Sequence, residues 1–192
     1  EKLDAPVCNG YQHNDSFPGS HPLAVGPLGY NGSKAAMELI SKADVVLALG
    51  TRLNPFSTLP GYNIDYWPKN ATIIQVDMNP DRIGLTKKVT VGICGDAKQV
   101  AQQISDKLSS DAGNSGREDR KNLIHKTKSA WLQTLAGLDH EEDDPGTVWN
   151  KEARERDKDR MSPRQAWRAI QDALPKDAII SSDIGNNCAI GN

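Results

Sequence analysis

The sequence contains few cysteines, and their spacing excludes several kinds of site. Among 192 residues there are three, Cys8, Cys94 and Cys188, which form neither an even set nor a C-x-x-C pair. A disulfide scaffold and a structural zinc site are therefore not expected. Unpaired thiols are typical of reducing compartments, so we expect the protein to be cytoplasmic.

Long apolar runs and an excess of one charge sign are also missing. No stretch approaches the roughly 20 apolar residues that cross a bilayer, and the net charge is −2. Because nucleic acids and anionic membranes normally require a clustered basic face, we expect neither as a partner. The first residue is Glu1 and not Met, and we expect the chain to be part of a longer protein.

What the sequence does contain is a set of short apolar runs, each followed by a turn signal. Their continuous Val/Ile/Leu character, without polar alternation, is typical of parallel strands covered on both faces. The four predicted strands are APVC (5–8), DVVLALG (44–50), ATIIQVD (71–77) and VTVGICG (89–95).

Helical patterns lie between and after these strands. Ser33 is placed to cap a helix with an apolar face, and Asp96 is placed to cap the helix AKQVAQQISDKL. Strands that alternate with helices predict an α/β fold with a doubly wound parallel sheet of the Rossmann-like kind. Residues 1–110 hold these strands and helices and form the first predicted domain.

The residue composition changes after Leu108. Residues 111–161 combine a polar helix, which ends near Gly137, with a densely charged stretch, and they predict a connection between domains. A second unit starts at 162–192, where Ser162 and Pro163 begin a helix and a strand AIISS follows. We interpret this unit as the truncated start of another α/β domain.

Gly26, Gly29 and Gly32 stand three apart before the first helix. They do not form the G-x-G-x-x-G fingerprint, and they do not directly follow a predicted strand. One interpretation is a tight loop in which backbone approaches backbone. The other is a loop whose free amide groups bind an anion at the helix N-terminus.

Gly50, Arg52 and Asp77 follow two predicted strands at their carboxyl ends. Ligands of open parallel sheets lie outside these ends, so the three residues mark a candidate nucleotide crevice in which Arg52 pairs with a phosphate and Asp77 with a ribose hydroxyl. The alternative is that Asp77 caps the turn DMNPD and Arg52 forms an ordinary salt bridge. The sequence leaves both open.

Four polar residues, His13, Asp15, Ser16 and His21, gather in one extended loop. A catalytic triad needs side chains that converge from separate elements, and a metal site needs further ligands. We therefore expect a loop whose polar groups bond locally or line a pocket formed by another part of the protein. Cys94 ends a predicted strand and is interpreted as a small core residue.

Several stretches together resemble the thiamine-diphosphate-dependent enzymes related to acetolactate synthase. The resemblance is carried by HPLAVGPLGYNGSKAAMELI (21–40), ADVVLALGTRLNPFSTLPGY (43–62), IIQVDMNPDRIG (73–84), VGICGDAKQV (91–100) and SPRQAWRAIQDALPKDAIISSDIGNN (162–187). Within this superfamily, the sequences of residues 11–33 and 53–68 are most similar to the branch of acetyltransferases that act on sulfoacetaldehyde.

The resemblance implies three α/β domains, of which this chain holds most of the central one and the start of the diphosphate-binding one. By this carry-over, Gly185, Asn186 and Asn187 approach the cofactor diphosphate. The family's catalytic glutamate and its magnesium motif lie outside the chain. Gly95 with Asp96, and Asn186 with Asn187, look like parts of that motif but lack its other half at the right distance, so we assign no metal ligand here.

For the full-length parent, the resemblance implies thiamine diphosphate and Mg²⁺ as cofactors, sulfoacetaldehyde and phosphate as substrates, and a homodimer or homotetramer. The flavin-containing relatives contact FAD at positions matching Gly50 to Arg52 and Asp77, but we do not expect FAD in this branch. The chain alone is expected to be inactive. The alternatives are a part of another enzyme of the superfamily, such as an acetolactate synthase, and a non-catalytic nucleotide-binding module.

Overall fold

The computed structural model describes residues 2–138, 160–161, 163–181 and 185, and the chain divides into two units, Glu1–Ser129 and Ala130–Asn192. Their helices and strands, in chain order, are β1 (Val7–Asn9), β2 (Ala24–Pro27), α1 (Lys34–Ile40), β3 (Val45–Leu49), β4 (Thr72–Asp77), β5 (Val91–Cys94), α2 (Ala97–Lys107), α3 (Arg117–Leu138) and α4 (Pro163–Ala173).

All five strands of the first unit pair in parallel. β1 pairs with β2, and β3, β4 and β5 form a second sheet in sequence order. The predicted α/β fold class with parallel strands is therefore confirmed, and β1, β3, β4 and β5 coincide with the four predicted runs. β2 was not predicted, because it is short and lies in a segment rich in glycine and proline.

α1 supplies much of the core of the first unit. Ser33 caps it as predicted, since its Oγ accepts a hydrogen bond from the Ala36 amide at 3.3 Å. The apolar face of α1 packs with side chains of β2, with Tyr66 and with Ile124 of α3. This cluster consists of Leu23, Val25, Leu28, Ala36, Met37, Leu39, Ile40, Tyr66 and Ile124.

α2 is capped by Asp96, whose Oδ1 accepts a hydrogen bond from the Gln99 amide at 2.9 Å. The helix contacts β4, and its apolar residues Val100 and Ile104 are half-buried. The predicted cap is confirmed.

β3 corrects one expectation about the sheet. Its residues alternate between a covered face, with Ala48 buried, and an open face, on which Val45, Leu47 and Leu49 are exposed. The apolar run predicted cover on both faces, but three of its five residues are exposed, whereas β4, which α2 contacts, is mostly buried. The second face of this strand therefore remains open to solvent.

Residues 2–4 are attached to the start of α3 by polar contacts. Arg117 donates from Nη2 to the Lys2 carbonyl at 2.6 Å and pairs through Nε with the Asp4 carboxylate at 3.1 Å. Arg120 donates to the Leu3 carbonyl at 3.1 Å and also to the Gly113 carbonyl. Chain segments more than one hundred residues apart are thereby held together.

The second unit contains the last residues of α3 that the structure describes, which include Gly137, and α4. Arg164 donates to the Leu135 carbonyl at 3.2 Å within this unit. Pro163 opens α4 as predicted, while Ser162 lies outside the described residues.

The predicted strand AIISS is wrong for the part that can be described. Residues 178–181 have no strand structure, because a strand requires a neighbour for its backbone groups and none of the described residues pairs with this segment. Within the described ranges, no helix is long and apolar enough to traverse a bilayer.

Candidate functional site

The carboxyl ends of the strands carry the loops in which most of the candidate residues lie. Gln75 of β4 forms hydrogen bonds with two of these loops, and the residue is only 1% exposed. Its Nε2 donates to the carbonyls of Thr51 at 2.9 Å and Arg82 at 3.2 Å, and its Oε1 accepts from the Gly84 amide at 2.8 Å. One buried amide thus fixes both sides of the candidate crevice.

The three residues of the candidate nucleotide crevice lie on these loops. Asp77 is buried, and its Oδ1 accepts a hydrogen bond from the Asn79 amide at 2.9 Å, so this carboxylate caps the DMNPD turn. Arg52 is exposed, and the carbonyl of the same residue accepts from Thr86 Oγ1 at 3.0 Å. Gly50 has a φ of +61° and donates to the Val76 carbonyl. Nucleotide binding at this edge stays a prediction.

The glycine segment forms a tight loop. Gly29 has a φ of +83°, and a Cβ atom there would lie 2.0 Å from the Phe56 carbonyl oxygen. The amide groups of Tyr30 and Ser33 donate to backbone carbonyls, those of Phe56 and Pro27. These contacts support the close backbone approach, and anion binding at this loop stays a prediction.

A buried phenol and a half-buried thiol lie in the first unit. Tyr66 is 1% exposed, and its hydroxyl has no hydrogen-bond partner among the described residues. Burial, the main cause, raises the pKa of Tyr66 to about 12 and the pKa of the Cys8 thiol to about 11. Both groups are therefore neutral at physiological pH and are unsuited to act as nucleophiles or bases.

Cys8 is expected to react slowly with thiol reagents at pH 8. Its raised pKa of about 11 lowers the thiolate fraction about a hundredfold relative to an ordinary thiol, and half-burial restricts access. Alkylation of the folded chain with iodoacetamide, resolved by peptide mass spectrometry, should modify the exposed Cys94 well before Cys8. Equal rates at the two sites in the native chain, with both fast in urea, would contradict this expectation.

Three of the four polar residues of the first loop, His13, Ser16 and His21, form local hydrogen bonds. Ser16 Oγ donates to the His13 carbonyl at 2.8 Å, and His21 Nδ1 accepts from the Leu23 amide at 3.1 Å. The His21 ring also meets Phe17 edge-on. A triad is not assembled from these residues, and no group of three potential metal ligands occurs within the described ranges.

Cys94 corrects another expectation. The thiol was predicted to be a small core residue, but it is exposed and donates to the Met78 carbonyl at 3.5 Å. β5 is the edge strand of its sheet, and most of its residues are exposed. A position at the end of an apolar run therefore did not imply burial.

The predicted diphosphate residues lie in the second unit. Gly185 is exposed, has a φ of +135°, and has no atom within 4 Å of the place where a Cβ would stand. This conformation favours glycine and leaves its backbone accessible, which fits the close approach of a phosphate group. Asn186 and Asn187 lie outside the described residues. Diphosphate binding by these three residues stays a prediction.

Gln75 was missed as a functional candidate from the sequence. The available signal was a single polar side chain inside the apolar run ATIIQVD. A buried amide must satisfy its hydrogen bonds, so its presence in a strand predicts partners on adjacent loops.

Comparisons with known proteins agree with the fold. The model of the thiamine pyrophosphate enzyme central domain matches residues 1–104. A probable sulfoacetaldehyde acetyltransferase of Rhizobium meliloti (strain 1021) is 80% identical over 192 residues, which is 100% of this chain and 32% of the relative. The sulfoacetaldehyde acetyltransferase of Roseovarius nubinhibens is 76% identical over the same shares of both chains.

A more distant relative comes from another branch. A probable acetolactate synthase large subunit of Methanocaldococcus jannaschii is 33% identical over 138 residues, which is 72% of this chain and 21% of the relative. The chain spans about a third of the length of the curated acetyltransferases that it matches, since it covers 32% of each.

Proposed function

The chain belongs to the thiamine pyrophosphate enzyme family, and from this membership we propose that it is part of a thiamine-diphosphate-dependent sulfoacetaldehyde acetyltransferase. The proposed parent converts sulfoacetaldehyde and phosphate into acetyl phosphate and sulfite. In this reaction the carbon–sulfur bond breaks, sulfite leaves, and the two-carbon unit is transferred to a phosphate oxygen.

One observation carries the proposal. Identity to sulfoacetaldehyde acetyltransferases is 80% and 76% over the whole chain, whereas the acetolactate synthase of Methanocaldococcus jannaschii is 33% identical over 72% of it. A member of the acetolactate branch would be expected to show higher identity to acetolactate synthases than to sulfoacetaldehyde acetyltransferases. The contrast favours the acetyltransferase over acetolactate synthesis.

The proposed cofactor supplies the carbanion chemistry that cleavage next to an aldehyde requires. Gly185, and by resemblance Asn186 and Asn187, would lie against its diphosphate, which we propose is also held by Mg²⁺. We do not propose FAD for this branch. In the first unit, Gln75 keeps the loops at the strand ends in place.

We also propose that the parent is a cytoplasmic homodimer or homotetramer. The supporting consideration is that cofactors of this family lie between subunits. The second candidate function is a non-catalytic nucleotide-binding module, and no described contact favours it: Asp77 caps its own turn through Oδ1.

The proposed reaction is tested on the full-length parent with thiamine diphosphate, Mg²⁺ and phosphate. Sulfoacetaldehyde should yield sulfite and acetyl phosphate in equal amounts, and pyruvate should yield little carbon dioxide. Release of carbon dioxide from pyruvate without sulfite release would instead assign the parent to the acetolactate branch. The 192-residue chain under the same conditions is expected to show no turnover.

A further inference from the structure

Three loops at the strand ends meet through aromatic rings. We call residues 10–14, 29–32 and 53–63 the loop patch. The Tyr11 ring lies 5.7 Å from the Tyr30 ring, edge-on, and 6.2 Å from the Phe56 ring, nearly parallel to it. Tyr30 and Phe56 also meet edge-on at 6.4 Å. These contacts join loops that follow three different strands.

The rings of the loop patch remain open to solvent despite these contacts. Tyr30 is 46% exposed, Phe56 60% and Tyr62 47%, and Leu59 beside them is also exposed. Large apolar side chains grouped in this way on a soluble surface normally mark an interaction site.

The backbone of the loop patch is strained. Of the six non-glycine residues with positive φ among the described residues, five lie in the patch: Gln12, Asn31, Leu53, Tyr62 and Asn63. A left-handed leucine or tyrosine is unfavourable and persists only where the surrounding structure enforces it. Such strain gathers where a surface must hold a particular shape.

Hydrogen bonds between the loops hold that shape. The Tyr30 amide donates to the Phe56 carbonyl at 2.9 Å, and the Tyr62 hydroxyl donates to the Gly32 carbonyl at 2.9 Å. Asn54 Oδ1 accepts from the Ser57 amide at 2.9 Å. The patch is thus ordered before any partner binds, which lowers the entropic cost of association.

The loop patch also lacks charge. Its residues include no Asp, Glu, Lys or Arg, although these types make up 25% of the chain. Depletion of charge together with enrichment of aromatic residues is the composition found at the centre of protein interfaces. Tyrosine is among the residue types that contribute most to their binding energy.

We propose that the loop patch is an interface, covered in the full-length protein by a segment of the same polypeptide outside residues 1–192. The matched relatives are about three times as long as this chain, which covers 32% of each, so the parent has ample sequence to supply that segment. The inference depends on the length of the parent and not on the reaction that it catalyses.

Hydroxyl-radical labelling with mass spectrometry tests this interface. In the 192-residue chain, Tyr30, Phe56 and Tyr62 should be oxidised, and in the full-length parent this labelling should be lost. Buried Tyr66 should stay unlabelled in both, which controls for folding, and Leu85, 68% exposed outside the patch, reports labelling efficiency in the chain. Equal labelling of the patch in chain and parent would overturn the proposal.

Two further labelling measurements test whether something else occupies the loop patch. If labelling of the patch in the chain alone falls as its concentration is raised, a second copy covers it and the proposal is wrong. If the parent shows protection only after a small molecule such as ADP is added, the patch is a ligand site and the proposal is equally wrong.

Substitution of Phe56 gives an independent readout. Phe56→Ser should lower the melting temperature of the full-length parent while changing that of the 192-residue chain little, because the ring is 60% exposed in the chain. Leu85→Ser, at a similarly exposed apolar residue outside the patch, is the matched control. An equal loss in chain and parent would assign Phe56 to packing within the loops and contradict an interface.

Discussion

Gly29→Ala is expected to destabilise the chain by about 4 kcal/mol, as the sum of a left-handed backbone and an overpacked contact. Gly29 has a φ of +83°, and its added methyl group would lie 2.0 Å from the Phe56 carbonyl oxygen and 2.7 Å from the Ser57 backbone. Relief requires the two loops to separate, which breaks the bond from the Tyr30 amide to Phe56. Urea unfolding followed by tryptophan fluorescence measures the loss.

Gly19→Ala is the matched control for this measurement. A Cβ at Gly19 has no atom within 4 Å, and its φ lies outside the left-handed range. The free energy of unfolding should therefore change by less than about 0.5 kcal/mol. If Gly29→Ala unfolds at the same urea concentration as Gly19→Ala, the close approach of these loops is not a feature of the folded chain.

Gln75→Leu is expected to cost about 3 kcal/mol or more, since buried groups that lose their partner each cost on the order of 1–3 kcal/mol. The substitution leaves the Thr51 and Arg82 carbonyls and the Gly84 amide without the side chain that now satisfies them. Urea unfolding measures the global effect. Hydrogen exchange at the Gly84 amide reports the local one, and it should become faster in the variant.

The same substitution at Gln102 provides a control. Gln102 is exposed on α2 and donates only to Asp106 at 2.8 Å, one helical turn away. Gln102→Leu should change stability by no more than about 0.5 kcal/mol. A Gln75→Leu variant as stable as the Gln102 variant would show that the buried amide does not hold the two loops.

Patterns confined to one segment were the part of the fold that sequence could predict. Ser33 and Asp96 could be predicted as helix caps because a short polar side chain directly before an apolar repeat can accept a hydrogen bond from a free amide of the first turn. β2 escaped prediction because its stability comes from pairing with β1 and not from its own residues. The open face of β3 was not predicted for a similar reason, because the burial of a strand depends on which helix packs against it.

In the candidate site too, local features could be predicted, whereas contacts between distant parts of the chain could not. Asp77 could be placed at a strand end from sequence, but its role as a turn cap depended on where the Asn79 amide lies. The loop patch joins Tyr11, Tyr30 and Phe56, which are far apart in the chain and share no motif. Gly29 was recognised as a tight-loop candidate, yet the carbonyl that demands glycine belongs to Phe56.

The polar attachment of residues 2–4 to Arg117 and Arg120 has an evolutionary consequence. The stretch between Asp4 and Gly113 starts and finishes at one place, because Arg120 donates to both the Leu3 and the Gly113 carbonyls. A segment with adjoining ends can be gained, lost or exchanged between genes without displacing the sequences joined to it. A transfer of this stretch would have to include α3, because Ile124 of α3 packs in the core of the same unit.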